Sequence, residues 1–98
     1  MSRLSVVLPA CNEEPMLEKT CRTLRELLRQ AGIRYELVLV DDGSSDGTWA
    51  AIEKVSVEDK NVTGVHFSRN FGKEAAIVAG LAQACGDAVA VMDCDLQH

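Results

Sequence analysis

The sequence predicts an α/β fold: a mostly parallel sheet with helices packed against it. Three observations predict it. Short β-branched runs alternate with longer stretches of helical periodicity, in the order strand, helix, strand, helix, strand, helix, strand. The second run, Leu37 to Val40 within ELVLVDDGSSDGT, is apolar at four consecutive positions, as a strand buried on both faces is. Finally, a polar group follows every run. Right-handed crossovers would bring all of these groups to the carboxyl edge of one sheet.

Each element has its own signature. Leu4 to Leu8 (LSVVL) reads as the first strand, closed by Pro9, Ala10 and Cys11. Asn12, Glu13 and Glu14 are expected to supply caps and negative charge at the entry of the next helix, with Pro15 in its first turn. Leu17, Cys21, Leu24, Leu28 and Ala31 then recur at helical spacing, and Gly32 is the natural stop. After Val40 the polarity reverses: Asp41 and Asp42 end the strand, Gly43 to Gly47 carry turn chemistry, and a helix begins at Thr48 with Trp49, Ile52 and Val55 on one side. Val62 to Phe67 is a third strand, weakened by Gly64. A loop from Ser68 to Lys73 leads into Glu74 to Cys85, a helix apolar nearly all round and therefore expected to be buried. Asp87 to Met92 is the fourth strand, discharging into Asp93, Cys94 and Asp95. If the first strand is central and the order reverses beside it, a crevice opens at the carboxyl ends.

Composition narrows the function. With 98 residues the chain is one small domain, and it reads as the front part of a longer protein. A formal net charge of -5 speaks against a nucleic-acid partner, because phosphate backbones reward a basic face. No run is long enough to cross a bilayer, and the start has no signal-peptide pattern. Cys11, Cys21, Cys85 and Cys94 show no CxxC spacing, so the chain reads as soluble and cytosolic with reduced thiols.

The carboxyl edge carries the chemistry. Asp93 and Asp95, two apart on an extended backbone, point to the same side. Paired carboxylates suit a hard divalent ion, Mg²⁺ or Mn²⁺, which as a Lewis acid neutralises a departing diphosphate. One of Asp41 and Asp42 is expected to cap the following helix. The other is then free to accept hydrogen bonds from ribose hydroxyls or a base N–H. Arg69 and Lys73 form a basic pair at a helix start, where backbone N–H groups favour anions. His66 alternates within a strand and reads as structural. A dehydrogenase or P-loop NTPase is not indicated: GxGxxG is absent after the first strand, and the Gly43 to Thr48 turn lacks a P-loop lysine. Two other readings compete. Asp42, Ser44, Asp46, Gly47 and Glu53 match the ligand positions of a calcium-binding EF-hand loop, although a strand stands where its first helix is required. A dehalogenase-type phosphotransfer domain also uses DxD, but normally after its first strand.

Four ordered blocks, VVLPACNEE, LVLVDDGSSDGT, SRNFGKEAAIVAGL and GDAVAVMDCDLQH, together resemble the family 2 glycosyltransferases of GT-A fold. The last two are most similar to the polyprenyl-phosphate branch, the relatives of dolichol-phosphate mannosyltransferase. The resemblance implies a Rossmann-like GT-A nucleotide-binding half, incomplete at its carboxyl end, with residues 1–98 as the nucleotide-sugar-binding part. It implies an inverting transfer from a nucleotide-diphosphate sugar to a polyprenyl-phosphate acceptor, dependent on Mg²⁺ or Mn²⁺. Pro9, Cys11, Asn12, Glu13, Val40, Asp42, Asp93, Cys94 and Gln97 would contact the nucleotide. Asp93 and Asp95 would be the catalytic metal-diphosphate pair, Asp95 the direct ligand. Arg69 and Lys73 would face phosphate. The family often has an aromatic residue where this chain has Cys11, which removes stacking on the base from that position. The full-length protein would sit at the cytoplasmic face of a membrane through carboxyl-terminal segments beyond this stretch, and this part alone would not turn over.

Overall fold

The computed structural model describes residues 2–94. Its elements are β1 (Leu4–Ala10), α1 (Glu14–Gln30), β2 (Tyr35–Asp41), α2 (Thr48–Glu58), β3 (Val62–His66), α3 (Lys73–Gln83) and β4 (Ala88–Val91). All strand pairs are parallel, in the order β3-β2-β1-β4. The chain therefore winds outward from β1 through β2 to β3, then crosses back to add β4 on the opposite side of β1. The order reverses between β1 and β4, which meets the condition for a crevice at that point.

The alternation of side chains along β1 and β2 divides the core in two. Val6, Leu8, Leu37 and Leu39 face α1 and α2, meeting Leu17, Cys21, Leu24, Ile52 and Val55. Val7, Val38 and Val40 face the other way, onto Ala76 of α3. A Cβ at Gly80 would collide with Val7, so this glycine lets α3 approach the sheet closely. The expectation that α3, apolar nearly all round, is buried holds only for the face it turns to the sheet. Val78 and Leu81 are 66% and 45% exposed, and only Ala76 and Gly80 are buried. The register pairs Ser5 with Val89 and Val7 with Val91, so the half-exposed Val89 and Val91 stand on the same face of the sheet as α3. Among the described residues that side of β4 is uncovered.

Two buried carboxylates pin the end of the sheet remote from the polar edge. Glu36 accepts hydrogen bonds from Ser5 Oγ and the Cys85 N–H, each at 2.6 Å, with the Arg3 guanidinium 3.8 Å away. Asp59 accepts from the Tyr35 hydroxyl at 2.7 Å, the Asn61 N–H at 2.9 Å and Arg25 at 3.4 Å. Burial alone would raise both pKa values. The hydrogen bonds and nearby guanidinium groups outweigh it, and both carboxyls lie below their ordinary values of 4.5 and 3.8. A group whose folded value is depressed stabilises the fold above its unfolded value and loses that contribution as pH falls through the folded one. The melting temperature is therefore expected to fall progressively as the pH drops below 4.5. Glu36→Gln and Asp59→Asn should each flatten that acid limb, and thermal melts across the acid range check this.

Candidate functional site

A cavity of about 210 Å³ opens where β1 and β4 diverge, at the reversal of strand order. Pro9, Ala10, Cys11, Glu13, Asp42, Lys73, Asp93 and Cys94 line it. The carboxyl ends of β1, β2 and β4 and the start of α3 thus meet at one point. Seven of these eight residues are candidates from the sequence; Ala10 is the addition.

The wall from Cys11 to Glu14 and the Ser44–Thr48 loop are built together. Asn12 takes a left-handed backbone, φ 56°, which asparagine tolerates. Its side-chain oxygen accepts from the Ser45 N–H at 2.8 Å and the Asp46 N–H at 3.3 Å, and Glu14 Oε1 accepts from the Gly47 N–H at 2.8 Å. In return Ser44 Oγ accepts from the Asn12 N–H and Thr48 Oγ1 from the Glu13 N–H, both at 2.9 Å, while Asp46 accepts from the Glu14 N–H at 3.3 Å. Each loop satisfies the donors at the start of the other's helix. This corrects the capping expectation, since Glu13 is the N-cap of α1 and makes no side-chain cap hydrogen bond, while Glu14 does supply the expected negative charge in the first turn. Asp46 is exposed, and its carboxyl is held below the ordinary range chiefly by the Thr48 hydroxyl.

Neither Asp41 nor Asp42 caps α2. Asp41 is fully buried, and its Oδ1 accepts from the Ser44 N–H at 3.1 Å. Asp42 turns to the start of α3, where Oδ1 accepts from the Phe71 N–H at 2.8 Å and Oδ2 from the Gly72 N–H at 3.1 Å. Both of its oxygens are engaged, and the remaining lone pairs are what a ligand in the cavity would find. Asn70, unmarked in the sequence, donates to the Asp42 carbonyl at 3.1 Å and to Cys11 Sγ at 3.3 Å.

At the far wall Lys73 Nζ stands 2.6 Å from Asp93 Oδ1, with both side chains largely exposed. Other candidates are placed elsewhere. The Val40 side chain packs in the α3-side core instead of lining the cavity. Arg69 lies over the Phe71 ring, 4.7 Å from its centroid, and does not line the cavity. Asp95 and Gln97 lie outside the described residues. Among the described residues no group of three or more His, Cys, Asp or Glu side chains is placed to hold a metal ion, and no helix is long and apolar enough to cross a membrane. Among the described residues no cysteine is in a disulfide, and burial pushes Cys21 up to about 11. The calcium-loop reading loses its structural basis. A strand precedes the loop, and Asp42 and Asp46 are committed to backbone N–H groups.

The family described as "Glycosyl transferase family 2" matches residues 5–98. An undecaprenyl-phosphate 4-deoxy-4-formamido-L-arabinose transferase of Proteus mirabilis is 41% identical over 103 residues, covering 100% of this chain and 30% of that protein. A bactoprenol glucosyl transferase of Shigella phage SfV is 42% identical over 95 residues, covering 97% of this chain and 31% of its own length. Among solved structures, a mannosyltransferase of Pyrobaculum calidifontis in complex with GDP-Man and Mn²⁺ superposes with a TM-score of 0.82 at 30% identity, over 96% of this chain and 28% of that one. The chain thus spans about 30% of the length of these curated relatives. The match decides against the dehalogenase-type reading.

Proposed function

We propose, from the premise that this chain belongs to glycosyl transferase family 2 and has the GT-A fold, that it is the donor-binding part of a glycosyltransferase. The whole protein would transfer a sugar from a nucleotide-diphosphate donor to a polyprenyl-phosphate acceptor, with inversion at the anomeric carbon. Supporting the acceptor class are relatives named for undecaprenyl phosphate and bactoprenol. Membrane association would come from parts of the protein beyond these residues.

The observation that carries the donor reading is the cavity at the strand-order reversal, where Pro9, Cys11, Glu13, Asp42, Asp93 and Cys94 converge. Base and ribose would lie toward the β1 and β2 ends, against Pro9, Cys11, Glu13 and Asp42. The diphosphate would lie toward β4, with Lys73 beside it. Mg²⁺ or Mn²⁺ fits the far wall on its donor chemistry. Asp93 offers hard carboxylate oxygen, and the Lys73 ammonium 2.6 Å from it supports a positive charge at this wall. Asp93 and Asp95 would hold the ion, which when bound supplies positive charge for the departing diphosphate. A phosphate acceptor arrives already ionised, so the reaction needs no protein base.

Calorimetry of UDP and GDP binding to the intact protein, with and without Mn²⁺, tests this reading. One nucleotide should bind in a metal-dependent way, and the same protein should transfer sugar from the matching donor to a short-chain polyprenyl phosphate. No binding of either nucleotide at millimolar concentration would defeat it.

A further inference from the structure

Beneath the site, on the α1 and α2 side of the sheet, lies a group of side chains that the donor reading does not use. Asp41 is 0% exposed, and among the described residues no hydrogen bond reaches its Oδ2. His66 Nε2 lies 3.2 Å from that oxygen, at ion-pair distance but off the direction of a hydrogen bond. Asp41 and His66 are register partners at the ends of β2 and β3, so the pairing is set by the sheet. The imidazole is itself held flat against Trp49 of α2, with centroids 4.4 Å apart and planes 10° from parallel. Gly64 leaves room for that indole, because a Cβ there would stand 3.1 Å from two of its ring carbons. A buried carboxylate with one oxygen left to an off-axis contact needs a counter-charge. An imidazolium supplies one, and the indole face favours a cation stacked on it.

The geometry points to His66 as a positioning residue for the donor site: its imidazole is the counter-charge of Asp41, and through Asp41 it holds the Asp42–Gly47 loop in the shape the cavity requires. The path is short. Asp41 Oδ1 holds the Ser44 N–H, and Ser44 Oγ holds the Asn12 N–H, between the cavity residues Cys11 and Glu13. Asp42, also in the cavity wall, follows Asp41 directly. The consequence for ligand affinity rests on the donor-site reading; the consequence for the loop does not.

Two measurements on the intact protein therefore go together: hydrogen exchange at the Ser44 amide without ligand, and calorimetric affinity for UDP and GDP with Mn²⁺. His66→Phe keeps a ring against Trp49 and removes the charge. It should speed Ser44 exchange and weaken nucleotide binding, each by about tenfold. Asp41→Asn combined with His66→Phe removes the carboxylate that needs the counter-charge, and should recover both to within about threefold of wild type. Unchanged Ser44 exchange in His66→Phe, or no recovery in the double variant, would overturn the inference. If His66→Phe does not fold, His66→Gln decides in the same way, faster exchange supporting the coupling and unchanged exchange overturning it. A wild-type protein that binds neither nucleotide defeats the donor reading, while Ser44 exchange still decides whether His66 holds the loop.

Discussion

Gly43→Ala is expected to unfold the domain or leave it barely stable. Gly43 sits at φ +66°, where an L side chain costs about 1–2 kcal/mol. Strain is the smaller part. A Cβ at this position would stand 2.6 Å from the Arg69 carbonyl oxygen and would collide with the neighbouring backbone. That backbone cannot move alone, since Phe71 and Gly72 donate to the buried Asp42 carboxylate and Asn70 donates to the Asp42 carbonyl. Displacing it loses hydrogen bonds to a charged group, each about 1.5–3 kcal/mol. The total is about 4 kcal/mol or more, most of the stability of a small domain. Gly32→Ala is the control. Gly32 has φ +71°, but a Cβ added there would meet no atom within 4 Å, so its loss should be confined to about 1–2 kcal/mol. Denaturant titration of both variants separates strain from collision, and equal losses would show that the close approach does not matter.

Asp93→Asn should do the reverse, sparing the fold and removing ligand affinity. The Lys73 and Asp93 side chains are 61% and 67% exposed, and exposed pairs of this type contribute about 0–1 kcal/mol to stability. Unfolding should therefore change little. Nucleoside diphosphate binding in Mn²⁺ should weaken by about tenfold to a hundredfold, the equivalent of about 1.5–3 kcal/mol for one charged ligand contact. Binding without Mn²⁺ should not weaken, because the substitution also removes a negative charge that repels diphosphate. Lys73→Ala should weaken metal-free binding instead. Calorimetry with UDP and GDP on wild type and both variants reads these outcomes, and equal, metal-independent affinity in all three would reduce Asp93 to a solvated strand end.

The strands and helices, their order and the edge on which the site lies are legible in the sequence because each rests on local pattern. LVLV announces a strand covered on both faces, and a polar cluster follows every strand. The partners of the polar side chains are not legible. Asn12 looks like a cap for the helix that follows it, yet its side chain serves the other loop, 34 positions away. Asp42 has the same appearance and serves α3. Local sequence identifies a capping residue but does not say which helix end lies beside it after folding. Glu36, just before the apolar run Leu37 to Val40, would ordinarily be assigned to solvent; Ser5 and the α3–β4 turn bury it. The apolar periodicity of α3 misleads for another reason. It records which faces are apolar, and Val78 and Leu81 are apolar yet remain substantially exposed among the described residues.

The exchange of caps between the Asn12–Glu14 and Ser44–Thr48 segments has a consequence for how the chain acquires its structure. An isolated βα unit made of β1 and α1 would leave the Glu13 and Glu14 amides without acceptors. The matching unit of β2 and α2 would likewise leave those of Ser45, Asp46 and Gly47 unmet. Neither helix start is complete until both strands are paired, although the two segments are more than thirty residues apart. The first four elements are therefore expected to gain stability together, because pairing β1 with β2 completes both helix starts at once.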